Sequence, residues 1–247
     1  VTSTDPGYDG IAIADVVANV TDNDSAGFTV SVISGDTTEA GGTATFTVVL
    51  NSQPTGVVTT TVHSSDTTEG TLNTSTLVFD AASWNLARTV TVTGVNDLLA
   101  DGNIAYSIIL DTATSTDDVN YSGINPDDVV VNNIDNDTAG VTVTESAGTT
   151  DITEGGATDS YTIVLNSQPT GDVAISVSAD ADATVSTSSI VFTVANWNTP
   201  QTITVTAVND VVVEGAHTST LTHSATSTDG GYDAIAIASV TANITDN

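Results

Sequence analysis

Carboxylates are the side chains of this sequence that are best suited to bind a ligand, because they far outnumber the basic side chains that could neutralise them. The chain of 247 residues has 31 Asp and Glu residues against a single basic residue, Arg88, and its formal net charge is −30 at pH 7. Surface ion pairs cannot account for these acids, since almost no partner of opposite charge exists. The charge argues against nucleic acid and anionic membrane surfaces as partners. It favours divalent cations, or a high-salt medium that screens the repulsion.

The acids recur in short motifs at a spacing of about 112 residues. The peptide Asp22-Asn23-Asp24 returns at residues 135–137, and the third copy begins at Asp246-Asn247. A fixed period of this kind indicates one structural unit repeated in series. We therefore expect a window from a longer array, divided into the closing part of a preceding unit at residues 1–24, a first complete unit at 25–137 and a second at 138–247.

Short stretches in which apolar residues alternate with Thr and Ser predict the strands that must position these acids. No stretch has the 3.6-residue period of a helix, and turn residues separate the strands. The pattern predicts an all-β fold of tandem immunoglobulin-like antiparallel β-sandwiches, about seven strands each, in an elongated array. The predicted strands A to G are 28–33, 44–50, 57–63, 75–79, 88–93, 104–110 and 128–134 in the first unit, and 141–144, 160–165, 173–177, 189–192, 201–206, 218–221 and 235–244 in the second.

Carboxylates follow strands A, C, E and G in both units. If the strands run alternately up and down, these four connections meet at one end of the sandwich. Clustered carboxylates repel each other without a counter-charge, and Ca²⁺ accepts six to eight oxygen ligands in irregular loops more readily than Mg²⁺ does. The sequence therefore predicts Ca²⁺ at one end of each sandwich. The acids of these connections are Glu39, Asp66, Glu69, Asp97, Asp101, Asp135 and Asp137 in the first unit, and Glu154, Asp180, Asp182, Asp210, Glu214 and Asp246 in the second.

An alternative reading is that these loops contain Asp and Asn only because turns favour them. It leaves the bias towards one end unexplained in both units. The acidic tag at 135–137 also immediately precedes the next unit, which begins at Thr138. A cation held there would fix the angle between neighbouring units, and without it like-charge repulsion would leave the junction mobile.

These residues resemble the Calx-beta domain family, a calcium-binding sandwich known from sodium–calcium exchangers and from very large bacterial surface proteins. The resemblance covers both units and the fragment. It rests on an early Glu after strand A, an Asp after strand C, an E–F loop that ends in an acid-Gly pair, and a final strand that reads Ala14 to Asp24 in the fragment. Exchanger-type domains carry more consecutive acids, so fewer ions or weaker binding is expected here. The resemblance implies Ca²⁺ ligation by Asp22, Asp24, Glu39, Asp66, Asp97, Asp101, Asp135, Asp137, Glu154, Asp180, Asp210, Glu214 and Asp246.

Catalysis is not expected. The three histidines, His63, His217 and His223, do not recur at equivalent places, and no nucleophile elbow or Cys/His metal set occurs. The leading hypothesis is a structural segment of a secreted or cell-surface protein, such as an adhesin stalk, sheath or extracellular fibre. In it, Ca²⁺ would stiffen the loop ends and junctions, with neighbouring repeats as partners and with neither nucleic-acid binding nor membrane insertion.

Two alternatives stay open. The first is an adhesive module that binds a glycan or a protein, although Trp84 and Trp197 are better interpreted as core-rim aromatics than as sugar-stacking ones. The second is assembly by strand exchange, in which residues 1–24 complete the sheet of another molecule. We also expect calcium to promote self-association into fibres or matrix, because it would neutralise the charge that keeps strand edges apart.

Overall fold

The computed structural model describes residues 1–247, and nearly all of its regular secondary structure is β-strand. The strand Thr43–Leu50 illustrates the cause: Phe46, Val48 and Leu50 are buried, and the residues between them are only partly covered. Successive side chains of a strand point to opposite faces of the sheet, so this alternation places every second residue in the core. The chain has no helix with the length and apolar character needed to cross a membrane.

The first sandwich is formed by strands β1 to β9. Its two sheets have the strand orders β1-β3-β7-β5 and β2-β9-β8-β4-β6. Its strands are β1 Phe28–Val30, β2 Thr37–Thr38, β3 Thr43–Leu50, β4 Val58–Ser64, β5 Gly70–Leu72, β6 Thr76–Phe79, β7 Arg88–Gly94, β8 Ile104–Leu110 and β9 Val129–Ile134.

The second sandwich is formed by strands β10 to β18 and repeats this arrangement. Its sheets have the orders β10-β12-β16-β14 and β11-β18-β17-β13-β15. A single 3-10 turn, Ser146–Gly148, precedes β11. Its strands are β10 Val141–Glu145, β11 Thr150–Thr153, β12 Asp159–Leu165, β13 Val173–Ser178, β14 Ala183–Val185, β15 Ser189–Phe192, β16 Gln201–Ala207, β17 His217–Ser227 and β18 Val240–Thr245.

Each sandwich has its own hydrophobic core between its two sheets. Phe79 is fully buried in the first core and Phe192 in the second. Trp84 and Trp197 are partly buried and pack against these cores, as a core-rim aromatic would. The fold is therefore all-β and sandwich-like, with two separate cores.

The prediction of wholly antiparallel sheets is wrong at one place in each sandwich. Strand β2 pairs in parallel with β9, with Thr37 opposite Asn133, and β11 pairs in parallel with β18, with Thr150 opposite Ala242. Each sandwich has nine strands where the sequence predicts seven. The additional strands β2, β5, β11 and β14 have two to four residues, which is too short to display an alternating period.

Several predicted strands also have different bounds in the structure. The first predicted strand ends at Val30 rather than at residue 33, and the last begins at Val240 rather than at 235. The predicted strand 218–221 lies near the start of the longer β17, whose later alternation is hidden by small residues such as Ala225.

Residues 1–27 contain no strand. The predicted closing strand of a preceding unit is therefore unpaired in this chain. Its residues Val16 and Val20 are exposed, whereas the corresponding Val240 and Ile244 are buried in β18. This difference follows from the partner strand: Val240 and Ile244 pair with β17, and residues 16–20 have no such neighbour.

Candidate metal centre

The parallel pair β2–β9 brings the first three acids of the candidate metal centre together. Thr38 lies opposite Ile134, and the Glu39 backbone N–H donates to the Ile134 carbonyl at 3.1 Å. Glu39 therefore leaves β2 beside the segment that follows β9. Carboxylate oxygens of Glu39, Asp135 and Asp137 all lie within 4.8 Å of one another.

A second group of three acids comes from the connections after β4 and β7. Carboxylate oxygens of Glu69, Asp97 and Asp101 lie within 4.8 Å of one another. The Val95 N–H donates to the Glu69 carbonyl at 3.0 Å, which aligns the two connections. The side-chain amide of Asn133 donates to Glu69 Oε2 at 3.2 Å.

The loop at residues 97–102 is held in shape by the carboxylates themselves. Asp97 Oδ1 accepts the Leu99 N–H at 2.8 Å, and Asp135 Oδ2 accepts the Gly102 N–H at 2.7 Å. Gly102 has a φ of +81°, a conformation that side-chain-bearing residues rarely adopt. Backbone hydrogen bonds thus join the second group of acids to the first.

Electrostatic repulsion acts between the two groups of acids as well as within each group. Burial raises the pKa of Glu39, and the charges of Asp97, Asp135 and Asp137 raise it further against a backbone hydrogen bond from Asn136. The pKa values of Glu69, Asp101 and Asp137 are raised for the same reason: burial first, with neighbouring carboxylates adding to it. Asp97 acts on both groups, so six carboxylates share one electrostatic environment.

No basic side chain relieves this repulsion. Arg88, the one Arg or Lys of the chain, donates to the Val78 carbonyl and to Ser83 Oγ, and it lies over the Phe79 ring. It belongs to the β6–β7 region, away from the acidic loops. The six carboxylates therefore lack a counter-charge from the protein.

One carboxylate oxygen of Asp137 gives the most specific indication that these acids bind a cation. Its Oδ2 is buried and has no hydrogen-bond partner, although buried polar atoms nearly always have one. A cation among the carboxylates would satisfy this oxygen. An all-oxygen set of carboxylates, with backbone carbonyls available in the loops, fits a hard divalent cation such as Ca²⁺.

The second sandwich repeats the frame of this centre. The Glu154 N–H donates to the Thr245 carbonyl at 3.0 Å, and Asp246 Oδ2 accepts the Gly215 N–H at 2.8 Å. Asp210 Oδ1 accepts the Val212 N–H at 2.7 Å. These are the bonds made by Glu39, Asp135 and Asp97 in the first sandwich. Glu154 Oε2, like Asp137 Oδ2, is buried without a hydrogen-bond partner.

A histidine changes the chemistry of the second centre. Ligand atoms of Glu154, Glu214 and His217 lie within 4.8 Å of one another, and His217 Nε2 is 3.6 Å from Glu214 Oε2. Its Nδ1 lies 2.9 Å from the Gly215 carbonyl. The hydrogen bond to the Gly215 carbonyl raises the pKa of His217 against the opposing effect of burial, and the charge of Glu214 adds to the rise. The corresponding first residue of strand β8 is Ile104.

Six sequence-predicted ligands lie outside the three groups: Asp22, Asp24, Asp66, Asp180, Asp210 and Asp246. Asp66 Oδ1 accepts from the Thr68 N–H and hydroxyl at 2.9 and 2.5 Å. Asp180 accepts from the Ser219 hydroxyl at 2.5 Å and the Thr220 N–H at 2.9 Å. These hydrogen bonds lower the pKa of both carboxyls, with the hydroxyl donors contributing most. Both side chains therefore serve as loop acceptors.

In the first sandwich, the connection after β4 contributes Glu69, and not Asp66, to the second group of acids. The counterpart of Glu69 is Asp182, because the Val208 N–H donates to the Asp182 carbonyl at 2.9 Å as Val95 does to Glu69. Both acids immediately precede a short strand, β5 or β14. Because β5 and β14 are too short to be recognised from the sequence, no sequence signal separates Glu69 and Asp182 from Asp66 and Asp180.

The N-terminal tag also lies outside a carboxylate group. Asp22 Oδ1 accepts the Asp24 N–H at 3.0 Å, which is the turn that Asp135 and Asp137 form at 2.6 Å. Asp22 and Asp24 belong to none of the three groups of possible metal ligands. The connections that supply the other acids in the two sandwiches have no counterpart before residue 25.

No protein-family model matches the chain. A search of curated proteins gives no match. Solved structures with a similar arrangement include CBD12 from CALX1.2 and the calcium-binding domain CBD12 of CALX1.1. Both share 14% sequence identity with this chain. The first has a TM-score of 0.32 and covers 76% of each chain; the second has a TM-score of 0.38 and covers 89% of this chain and 100% of the other.

Domains 4 and 5 of the S-layer protein SbsC are also similar, at 15% identity and a TM-score of 0.30, over 90% of this chain and 98% of the other. The second of these structures is a calcium-binding domain and the third is part of a surface-layer protein. Similarity at this level carries no argument about this chain, whose function must be argued from its own geometry.

Proposed function

We propose that this chain is a structural repeat segment of a secreted or cell-surface protein, and that Ca²⁺ bound at the acidic end of each sandwich stiffens it. The observation that carries the proposal is the buried, unpartnered Oδ2 of Asp137 within the first group of three carboxylates, which lies beside a second group of three. A bound cation would both partner this oxygen and reduce the repulsion among the acids. We propose no enzymatic activity.

Calcium is the ion that best suits these ligands. The loops offer carboxylates in an irregular arrangement, and Ca²⁺ accepts six to eight oxygens with flexible geometry, whereas Mg²⁺ requires a near-ideal octahedron. Extracellular calcium modules bind at about 10⁻⁴–10⁻³ M, which matches a site that has exposed members such as Asp101. Binding in that range would suit the proposed secreted or surface location, where Ca²⁺ would have to be abundant.

The junction between the sandwiches explains how an ion would stiffen the chain. The 97–102 loop, which carries Asp97 and Asp101, also touches the second sandwich: the Gln168 N–H donates to the Leu98 carbonyl at 2.7 Å. An ion that holds these two acids would fix the loop between them. Asp137 lies on the covalent connection itself, three residues before Gly140, whose carbonyl accepts the Asn166 N–H at 2.9 Å.

Neighbouring repeats are therefore the proposed partners. Calcium would also permit side-by-side association into fibres or matrix, because it reduces the repulsion between chains of charge −30. No nucleic acid or membrane insertion is proposed. The glycan-binding alternative is not favoured, because Trp84 and Trp197 pack against the cores rather than standing on the surface.

Strand exchange through residues 1–24 is the second candidate function. Residues 1–10 form the same turn as residues 225–234: Asp5 Oδ1 accepts the Gly7 N–H and Asp229 Oδ1 accepts the Gly231 N–H, both at 2.8 Å. The unpaired strand residues that follow are exposed, as at Val16. A preformed turn ahead of an unpaired strand favours its addition to another sheet.

Thermal unfolding with excess Ca²⁺, with a chelator and with Mg²⁺ tests the calcium proposal. At a concentration of 100 Kd one ion stabilises the native state by about 2.7 kcal/mol. At about 4–8 °C per kcal/mol for a small domain, the melting temperature should rise by about 10 °C or more, and less with Mg²⁺. Equal melting temperatures in Ca²⁺ and chelator would reject the proposal.

A further inference from the structure

The contact between the two sandwiches consists of a loop from one and a turn from the other. The loop is residues 97–102 and the turn is the Asn-Ser-Gln-Pro-Thr-Gly peptide at 166–171. The Gln168 N–H donates to the Leu98 carbonyl at 2.7 Å, and Leu99 forms a β-bridge with Gln168. Only a small cavity of about 210 Å³ remains, lined in part by Leu99, Ala139 and Tyr232.

The second sandwich carries the same loop at residues 210–215 without anything against it. Asp210 and Asp246 hold it by the hydrogen bonds that Asp97 and Asp135 make in the first sandwich. Its three central residues are apolar and exposed: Val211 is 99%, Val212 56% and Val213 93% accessible. The loop is thus preformed for a contact that it does not make in this chain.

The first sandwich carries the same turn, also uncovered. Residues 51–56 have the same six-residue sequence as residues 166–171. Asp118 Oδ2 accepts the Thr55 N–H at 2.8 Å, just as Asp229 Oδ2 accepts the Thr170 N–H at 2.7 Å. Gln53 is exposed, whereas Gln168 is partly covered by the 97–102 loop.

A groove lies in front of this uncovered turn, where the 97–102 loop lies in the junction. It has a volume of about 580 Å³ and is lined by residues that include Ala26, Gln53 and Tyr121. Ala26 and Tyr121 correspond to Ala139 and Tyr232, which line the smaller cavity of the occupied junction. The larger volume is the space that a docked loop would fill.

We propose that Val211–Val213 is a docking element whose partner is the 51–56 turn of a second copy of this sequence, joined head to tail. In this contact the Gln53 N–H donates to the Val211 carbonyl, and Val212 lies against Gln53 as Leu99 lies against Gln168. Loop and turn are different surfaces, so the contact is heterologous and can continue from copy to copy. The inference rests on the proposed role as a repeat segment, but it does not depend on calcium.

A two-copy chain tests this contact directly. In it Asn247 of the first copy is followed by Asp24 of the second, which restores the Asp-Asn-Asp tag. The sequence contains no cysteine, so Val212→Cys in the first copy introduces a single thiol. Its rate of labelling by a maleimide is compared between the 247-residue chain and the two-copy chain. Val194→Cys is the matched control, because Val194 is 52% exposed and belongs to the turn after β15.

Docking should slow the labelling of Val212→Cys at least fivefold in the two-copy chain and leave Val194→Cys unchanged. The partner surface is then identified by adding Gln53→Cys to the second copy. Under mild oxidation this pair should form a disulfide at least tenfold faster than Val212→Cys with Val57→Cys in the same turn region. Unchanged labelling overturns the proposal, and so does slowed labelling without preferred cross-linking to position 53.

Both measurements are made with Ca²⁺ and with a chelator, which separates this inference from the proposed function. If Val212→Cys is labelled slowly while the melting temperature is the same with Ca²⁺ and with chelator, the calcium proposal is rejected and the docking contact is supported. A calcium-dependent melting temperature with unprotected Val212→Cys would do the reverse.

Discussion

The acidic ends of the two sandwiches share one backbone frame and differ in charge. In the first, six carboxylates meet with no base among them. In the second, Glu154 and Glu214 meet His217, whose pKa is raised. The frame is fixed by hydrogen bonds present in both, such as those to Asp135 and Asp246.

The positions of the acids and the balance of charge around them are therefore set by different features. Backbone hydrogen bonds position each acid, and single residue differences such as His217 in place of Ile104 set how much repulsion remains. When His217 is protonated, it supplies positive charge beside Glu154 and Glu214, and no residue of the first sandwich does the same for the carboxylates at its acidic end. The first sandwich should therefore depend more strongly on Ca²⁺ than the second.

The largest expected effect is loss of calcium stabilisation in the first sandwich. Glu39→Gln combined with Asp137→Asn should remove most of the calcium-dependent rise in the melting temperature of the first sandwich, about 2–3 kcal/mol if one ion is lost at saturation. Glu154→Gln should cost the second sandwich less, because His217 already offsets part of its charge. Scanning calorimetry with and without Ca²⁺ measures both, and Asp127→Asn, which removes one exposed charge elsewhere, is the control. Equal losses in the two sandwiches would contradict the comparison.

In the absence of calcium, Glu39→Gln should stabilise the first sandwich, although it should destabilise that sandwich when calcium is bound. Glu39 is 4% exposed and its pKa is raised by burial and by neighbouring carboxylates. Such a group makes the fold more stable below its unfolded pKa, and that stability is lost as the pH rises through the folded value. In chelator at pH 7, Glu39→Gln should therefore stabilise the first sandwich by about 1 kcal/mol, within the usual range for point mutations.

The pH dependence supplies the check on this reversal. The advantage of Glu39→Gln in chelator should fade as the pH falls towards about 4, near the unperturbed pKa of Glu, because the native carboxyl then takes up its own proton. Urea unfolding at several pH values measures it. An advantage that is independent of pH would mean that repulsion is not the cause.

Replacing His217 should have a smaller effect on stability in chelator than Glu39→Gln, and it should lower stability instead of raising it. The pKa of His217 is raised, so its contribution is present below the unfolded pKa of about 6.5 and is lost as the pH rises through the folded value. His217→Ile, the residue found at position 104, should reduce the chelator-state stability of the second sandwich below pH 6 and have little effect above pH 8. The substitution should also increase the rise in the melting temperature of the second sandwich that Ca²⁺ causes. A His63→Ile control leaves this group intact.

The smallest expected effect separates neighbouring acids in one loop. Asp66→Asn should leave calcium binding nearly unchanged, since that carboxylate is occupied by Thr68. Glu69→Gln should weaken it by about tenfold, or about 1.4 kcal/mol. Isothermal titration with Ca²⁺ distinguishes them. Equal weakening by both substitutions would return Asp66 to the ligand set.

The candidate site was predictable in part. In the first sandwich, Glu39 meets Asp135 and Asp97 meets Asp101, as expected for acids at one end of the sandwich. The sequence points to Asp66 and Asp180 in the connection after strand C, where the structure places Glu69 and Asp182 in equivalent positions. The sequence repeats poorly in that connection, and the strands β5 and β14 that align it are three residues long. The role of His217 was missed because no histidine recurs at the equivalent position in the first unit.

The longer strands, the repeated motifs and the excess of negative charge can be recognised from the sequence alone, because alternation and composition are local properties of the chain. The tertiary structure decided which acids meet. Glu39 reaches Asp137 only through the parallel register of β2 on β9, a contact across nearly the whole unit that no local period encodes. It also decided that Leu99 is covered while Val212 is exposed, since burial depends on the neighbour that each loop meets.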